Sequence, residues 1–177
     1  YAMDLSLVGS DMCIRDRCVS SWKVYKALSN IKFLKGKLEN IPDEGSIAPA
    51  SYEFMGSMTR QALVKKMQER QAFILEGAWS ARQPNLPITT KDEALILASI
   101  IEKETSVETE RSKMSSVFVH RLLRDMALQT DASVIYGITK GKKGLGRGLR
   151  RSELKEDTPW NTYLNKGCLL YTSPSPR

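Results

Sequence analysis

Two glutamates follow the most apolar stretch of the chain, and their carboxyl groups could do acid–base chemistry. Residues 94–101 are apolar except for Ser99, and Glu102 and Glu104 come directly after them. A carboxyl at the C-terminal end of a buried helix is disfavoured in its charged form by desolvation and by the negative pole of the helix. A general acid has to carry a proton at neutral pH, so this position suits that role.

The spacing predicts that the two glutamates do not share one site. At about 100° per residue they lie on roughly opposite sides of a helix. Glu102 continues the row of Leu95, Ala98 and Ser99, and Glu104 continues the row of Leu97, Ile100 and Ile101. A helix that ends at the surface with both glutamates solvated fits the same spacing, so the pattern alone leaves both interpretations open.

Two further segments concentrate polar and aromatic groups. Residues 128–137 contain Gln129, Thr130, Asp131 and Tyr136, and residues 157–163 contain Trp160, Asn161 and Tyr163. Aromatic faces with an amide between them can stack on and hydrogen-bond a sugar ring or a base. Turn-forming residues and ordinary core aromatics explain the same composition.

A basic, glycine-rich stretch covers residues 138–151, and the whole chain has a formal net charge of +7. Such a surface favours an anionic partner. A solvated loop is the structural alternative, and a single-stranded nucleic-acid module with Trp160 and Tyr163 stacking on bases is the functional one. The glycines lack the spacing of a nucleotide-binding loop.

Composition narrows the classes of chemistry. The chain has one histidine, His120, and three cysteines near its ends, so zinc spacing and a Ser/His/Asp triad are both missing. No metal site is therefore predicted. The longest apolar run is far shorter than the roughly 20 residues of a membrane-spanning helix, and no leader pattern is visible at the N-terminus.

The elements that must position these residues are predicted to form an α+β fold, a helical core with a small β-sheet. Thr59 can cap a helix that runs to about Ser80, and Thr90 with Glu93 forms a capping-box pattern for a helix through Glu104. The remaining predicted elements are helices at 22–38 and 108–125 and short strands near 47–54 and 128–136.

The two ends of the chain differ from its middle. Residues 12–17 and 168–177 have no helical or strand period and resemble translated adapter sequence, so we predict that residues 1–18 and 168–177 are not native to the protein. The middle of the chain, from about residue 19 to residue 167, is interpreted as native sequence.

Several motifs together resemble the YceG-like endolytic murein transglycosylases. They are co-linear between residues 44 and 167 and read EGSIAPASYEF, LPITTKDEALILASIIEKET, ER, VFVHRLLRDMALQTDASVIYG and DTPWNTYLNKG. The resemblance implies that residues 19–43 are the end of a linker or LysM-like region. It also implies that residues 44–167 form a catalytic domain truncated at its C-terminus, with a lysozyme-like catalytic site at the C-terminal end of a buried helix.

The resemblance also implies the function. The expected activity is that of a lyase that cleaves peptidoglycan glycan strands between N-acetylmuramic acid and N-acetylglucosamine and leaves 1,6-anhydro ends, without a cofactor. It assigns catalysis to Glu102 and substrate binding to a second set of residues: Gln129, Thr130, Asp131, Tyr136, Asn161 and Tyr163. An inactive peptidoglycan-binding domain is a further alternative.

The setting implied by the resemblance is the outer face of the bacterial cytoplasmic membrane. The expected partners are glycan strands and the cell-wall synthesis complex, with no nucleic acid. A membrane anchor would lie N-terminal to this sequence.

Overall fold

A computed structural model describes residues 2–4, 21–54 and 57–168. The strands and helices in chain order are β1 (Ala2–Asp4), α1 (Ser21–Asn30), β2 (Ser51–Glu53), α2 (Arg60–Ser80), α3 (Lys91–Glu104), α4 (Arg111–Leu123) and α5 (Asp131–Thr139). Short 3₁₀ turns lie at Glu108–Glu110 and Glu153–Lys155. The chain divides into two compact units, Tyr1–Ala81 and Arg82–Arg177.

The α+β prediction is confirmed in its coarse form, a mixed and helix-rich fold. Among the described residues the strands form one antiparallel pair of three residues each, with Met3 opposite Tyr52. The predicted non-native segments 1–18 and 168–177 lie largely outside the described residues. The predicted domain boundaries stay predictions.

The core of the first unit forms where α1, β2 and α2 meet. Thr59 caps α2 as predicted, because its hydroxyl accepts from the Ala62 amide at 3.1 Å. The core side chains are hydrophobic and all below a tenth exposed: Val24, Leu28, Leu34, Leu38, Tyr52, Phe54, Leu63, Val64 and Met67.

The predicted helix over residues 22–38 is wrong in its second half, since α1 ends at Asn30. At the end of α1, the guanidinium of Arg60 supplies hydrogen bonds to backbone carbonyls of the last turn and of the following segment. It donates to the carbonyls of Leu28 at 2.9 Å and Ile31 at 2.6 Å, and also to those of Leu34 and Gly36. These bonds satisfy carbonyls that a continued helix would otherwise have paired.

The second unit is built around α3 and α4. Both halves of the predicted Thr90–Glu93 capping box are present, and α3 ends at Glu104 as expected. Leu97 and Ile100 of α3, Phe118 of α4 and Leu128 form the buried cluster. The predicted helix over 108–125 is a 3₁₀ turn followed by α4.

The predicted strand near 128–136 is wrong, because residues 131–139 form α5. Its β-branched residues favour a strand locally, but two hydroxyls bond backward within the helix. Ser133 donates to the Thr130 carbonyl and Thr139 to the Ile135 carbonyl, both at 2.9 Å. Burial of Ser133 and Val134 against the rest of the unit then outweighs strand propensity.

The apolar faces of two helices, α2 and α4, are only partly buried. Ile74 on α2 is 50% exposed, and Val117 and Leu123 on α4 are 47% and 58% exposed. These residues lie on helices that extend beyond the cores they pack against. Periodicity locates a face and does not show how far along the helix a neighbour covers it.

Candidate active site

Glu102 lies in an ion pair with the first residue of α4. One guanidinium nitrogen of Arg111, Nη2, lies 3.2 Å from Oε1 and 3.0 Å from Oε2 of Glu102. The Glu102 side chain is 17% exposed, and Arg111 Nε is buried without a hydrogen-bond partner among the described residues. Both carboxylate oxygens of Glu102 therefore lie within reach of the same guanidinium nitrogen.

A second contact closes the same connection between α3 and α4. Thr105, which is buried, donates its hydroxyl to Glu110 Oε2 at 3.0 Å and accepts from the Val107 amide at 3.1 Å. The Glu102–Arg111 and Thr105–Glu110 contacts therefore both join the end of α3 to the start of α4, across one short loop. The catalytic role of Glu102 stays a prediction.

Glu104 faces a different neighbour, the start of α5. The hydroxyl of Thr130 donates a short hydrogen bond to Glu104 Oε1. Thr130 is itself 2% exposed, and its amide donates to Thr162 Oγ1 at 2.9 Å. Thr162 Oγ1 also lies 2.8 Å from Ser133 Oγ. Buried hydroxyls thus connect the end of α3, the start of α5 and the loop at 161–163.

Tyr163 and Asp131 complete the surroundings of Glu104. The Tyr163 hydroxyl donates to Asp131 Oδ1 at 2.6 Å. This hydrogen bond, followed by burial and by the negative charges of Asp131 and Glu104, raises the pKa of Tyr163 to about 12. The charge of Glu104 therefore acts on the same phenol that Asp131 binds, and three of the predicted substrate-binding residues gather at Glu104 rather than at Glu102.

The other three predicted substrate-binding residues lie elsewhere. Gln129 has a left-handed backbone, with φ 52°, and its side-chain oxygen accepts from Arg121 Nη1 at 3.1 Å. Tyr136 lies further along α5 and packs edge-on against Trp160, with ring centroids 6.3 Å apart.

Asn161 is fully buried, and its side-chain amide bonds to three backbone groups of the described residues. Its amide nitrogen donates to the carbonyls of Leu154 at 3.0 Å and Glu156 at 2.8 Å, and its oxygen accepts from the Tyr163 amide at 3.0 Å. Asn161 therefore holds the loop that presents Tyr163, and its role in substrate binding stays a prediction.

Sequence reasoning missed the surroundings of Glu104, although one signal was present. Glu104 continues the helical row of Leu97 and Ile100, and these are the two buried residues of α3. Ala98 and Ser99, in the row of Glu102, are exposed. Glu104 therefore continues the side of α3 that packs into the unit, and this continuity was the signal in the sequence.

The described residues contain no group of three His, Cys, Asp or Glu side chains that could hold a metal ion. None of the helices within the described ranges is both long and apolar enough to cross a membrane. At the end of α3 the second unit places the Glu104 carboxyl beside a wall formed by Thr130, Asp131 and Tyr163, so the Asp131 carboxyl lies on this wall as well.

Comparison with known proteins identifies the family. Residues 13–170 match the sequence profile of the YceG-like family, so the chain belongs to that family. It is 36% identical over 127 residues to an endolytic murein transglycosylase of Bacillus subtilis, with 71% of this chain and 34% of the relative covered. A protein of the same name from Streptococcus pneumoniae is 32% identical over 137 residues, with 75% and 24% covered.

A solved structure agrees with these matches. The fold is similar to a YceG-like protein of Listeria monocytogenes with a TM-score of 0.56 and 26% identity, and the match covers 93% of this chain and 51% of that one. The chain spans about a third of the length of the B. subtilis relative and about a quarter of the pneumococcal one.

Proposed function

We propose that the chain forms part of a lytic transglycosylase that cleaves peptidoglycan glycan strands endolytically between N-acetylmuramic acid and N-acetylglucosamine. Its relatives named endolytic murein transglycosylases support the reaction class. The observation that carries the proposal is the placement of Glu104, at the end of α3, against Thr130 and near the Asp131–Tyr163 pair.

Glu104 is the general acid in this proposal, in place of Glu102. Its side chain is exposed and so open to a substrate, while the Thr130 hydroxyl fixes one of its oxygens. Glu102 is largely covered and its charge is matched by Arg111. The sequence-based assignment of Glu102 to catalysis stays a prediction, and the contacts favour Glu104.

One carboxyl is sufficient for the proposed chemistry. Glu104 donates its proton to the glycosidic oxygen as the bond from that oxygen to the muramic acid C1 breaks. The C6 hydroxyl of the same sugar attacks C1, and its proton returns to Glu104 as the 1,6-anhydro ring closes. Atoms balance without water, and the carboxyl ends in its starting form. An acid at the end of a helix beside a polar wall is, in this proposal, a lysozyme-like arrangement.

A hydrolase is the second candidate, because Asp131 lies on the same wall and glycosidases commonly use two carboxylates. The hydrogen bond from Tyr163 occupies one oxygen of Asp131, which favours a supporting role for that residue. The two candidates differ in whether water enters the product.

Product analysis separates the two candidates. The protein is incubated with purified glycan strands and the new ends are measured by mass spectrometry. We expect 1,6-anhydro-muramic acid ends. Free reducing ends, heavier by one water, would show a hydrolase, and uncut strands would overturn the proposed function.

The biological setting is part of the same proposal. Peptidoglycan lies outside the cytoplasmic membrane, so the domain would act on that side. The membrane anchor and the contacts with a cell-wall synthesis complex stay predictions that rest on the family.

A further inference from the structure

A closed ring of hydrogen bonds includes both backbone groups of Thr130, the residue that contacts Glu104. The Thr130 amide donates to Thr162 Oγ1 at 2.9 Å, and Thr162 Oγ1 lies 2.8 Å from Ser133 Oγ. Ser133 Oγ in turn donates to the Thr130 carbonyl at 2.9 Å. The Thr162 carbonyl also accepts from the preceding amide, that of Gln129, at 3.0 Å. Two hydroxyl side chains therefore hold the backbone at Thr130 from both sides.

Each hydroxyl proton of this ring has a defined acceptor. Ser133 and Thr162 carry one hydroxyl proton each. With Ser133 donating to the Thr130 carbonyl, the Thr162 hydroxyl donates to Ser133 Oγ. In the reverse direction Thr162 donates to that carbonyl at 3.3 Å, and Ser133 donates to Thr162. Both directions use both protons, so the ring is closed in either case.

The ring is buried, which makes each of its hydroxyls hard to replace. None of Thr130, Ser133 and Thr162 is more than 4% exposed. A buried polar group that loses its partner bears the full cost of its desolvation. The backbone at Thr130 is therefore fixed more firmly than exposed hydroxyls could fix it.

Thr130 also differs from the two other threonines that precede helices. Thr59, Thr90 and Thr130 all have extended backbones at a helix start, and the hydroxyls of Thr59 and Thr90 accept from the amide three residues further on. Within the described part of the chain Thr130 makes no such capping bond, and its hydroxyl donates to Glu104 Oε1 instead. Capping therefore does not orient this hydroxyl, and the ring around its backbone is the contact that can.

We propose that Thr162 and Ser133 are positioning residues that hold the Thr130 hydroxyl on Glu104 and so fix the carboxyl for proton transfer. The inference rests on the proposed function, in which Glu104 is the acid. Neither Thr162 nor Ser133 contacts the reacting atoms in this proposal. They act through Thr130, and Thr162 contributes more because both its carbonyl and its hydroxyl accept backbone amides.

The first test observes the Glu104 contact without catalysis. The carboxyl-carbon NMR resonance of Glu104, assigned with Glu104→Gln, is recorded at neutral pH in the unchanged 177-residue chain and in its variants. Thr162→Val and Ser133→Ala each remove one hydroxyl of the ring, and Thr162→Ser keeps it. Thr139→Val is the matched control, since Thr139 is a buried threonine whose hydroxyl bonds within α5.

The reference for this test is Thr130→Val, which removes the contacting hydroxyl itself. We expect Thr162→Val to move the Glu104 resonance in the same direction as Thr130→Val. Ser133→Ala should move it less, because the Thr162 hydroxyl can still reach the Thr130 carbonyl. Thr162→Ser and Thr139→Val should leave it close to its position in the unchanged chain.

The second test measures kcat and KM for glycan cleavage at a temperature where circular dichroism shows every variant folded. We expect Thr162→Val to lower kcat by about tenfold with little change in KM, since a misplacement of about 1 Å can cost up to about 10²-fold in rate. Thr162→Ser should recover most of the loss. Thr162→Val added to Thr130→Val should cause no further loss, because Thr162 acts through the hydroxyl that is already missing. A merely structural role would lower Tm without this non-additivity.

A Glu104 resonance that Thr162→Val leaves in place, or that Thr139→Val moves equally, would overturn the inference. So would rate losses that add fully in the double variant. If Thr162→Val does not fold, Ser133→Ala decides by the same criteria. Cleavage with an unchanged kcat in Thr162→Val removes the positioning role and leaves the proposed function standing. The expected resonance changes in a chain that leaves glycan strands uncut support the ring as the support of Glu104 and overturn the proposed function.

Discussion

Replacing Arg111 tests the structural role given to the Glu102 ion pair. Arg111→Met keeps an apolar stem but removes the guanidinium that lies 3.0 and 3.2 Å from the two carboxylate oxygens. Glu102 would then be left 17% exposed or slightly more, with its charge unmatched. The expected result is a less stable protein.

The size of the loss follows from the burial of the pair. Exposed pairs contribute about 0–1 kcal/mol, and breaking a fully buried pair costs about 3–5 kcal/mol. The Arg111 and Glu102 side chains are 24% and 17% exposed, which places this pair between those limits. We expect a loss of about 2 kcal/mol, or roughly 4–8 °C in Tm for a chain of this length.

Thermal unfolding followed by circular dichroism measures this loss. Lys113→Met, an exposed cation on the same helix, is the control and should shift Tm by much less. Adding Glu102→Gln to Arg111→Met should recover part of the loss, because it removes the unmatched charge. If Arg111→Met and Lys113→Met have the same Tm, or if the double variant shows no coupling, the ion pair does not hold α4 as described.

Three other side chains carry predictions of their own. Asn161→Ala should cost about 2–4 kcal/mol, because its amide satisfies three backbone groups at a fully buried site; an unchanged melting curve would contradict this. The folded-state pKa of Tyr163, about 12, lies above its ordinary value of 10.0, so the stability from its bond to Asp131 is complete below pH 10 and is lost as the pH rises toward 12. The tyrosinate absorbance is measured against pH for the unchanged chain and for Tyr163→Phe, and the difference between the two curves reports Tyr163. We expect this difference to have its midpoint well above pH 10; a midpoint at pH 10 would refute the contact. Hydrogen bonds from Thr89 lower the pKa of Glu93 below 4.5, so its contribution to stability is present above that pH and is lost on acidification; Glu93→Gln should flatten the acid side of the stability curve, and an identical curve would refute the capping role.

The predictions that held are those that depend on local chemistry. Thr59 and the Thr90–Glu93 pair define helix starts because a side chain bonds to amides two or three residues away, and those residue types are visible in the sequence. The end of α1 could not be read in the same way. It depends on Arg60, which lies about thirty positions further along the chain.

The α5 segment shows the same limit for strand propensity. Its valine and isoleucines favour a strand locally, and the helix forms because Ser133 and Val134 are buried by residues distant in sequence. The same limit applies to the candidate active site, where local spacing is readable from sequence and tertiary neighbours are not. Spacing correctly placed Glu102 and Glu104 on different sides of α3, but which side meets Thr130 and which meets Arg111 is decided by tertiary packing.

The central claim is that Glu104 carries the proton, and the most direct measurement is the initial rate of glycan cleavage by two matched variants. Glu104→Gln and Glu102→Gln are compared with the unchanged protein on the same strands, at a temperature where all three are folded by circular dichroism. We expect Glu104→Gln to lose roughly 10²- to 10⁴-fold in rate, the range for general acid–base catalysis, while Glu102→Gln keeps most of its activity. A folded Glu104→Gln with nearly full activity, or comparable losses in both variants, would contradict the assignment. A large loss in Glu102→Gln alone would return catalysis to the residue that the sequence had favoured.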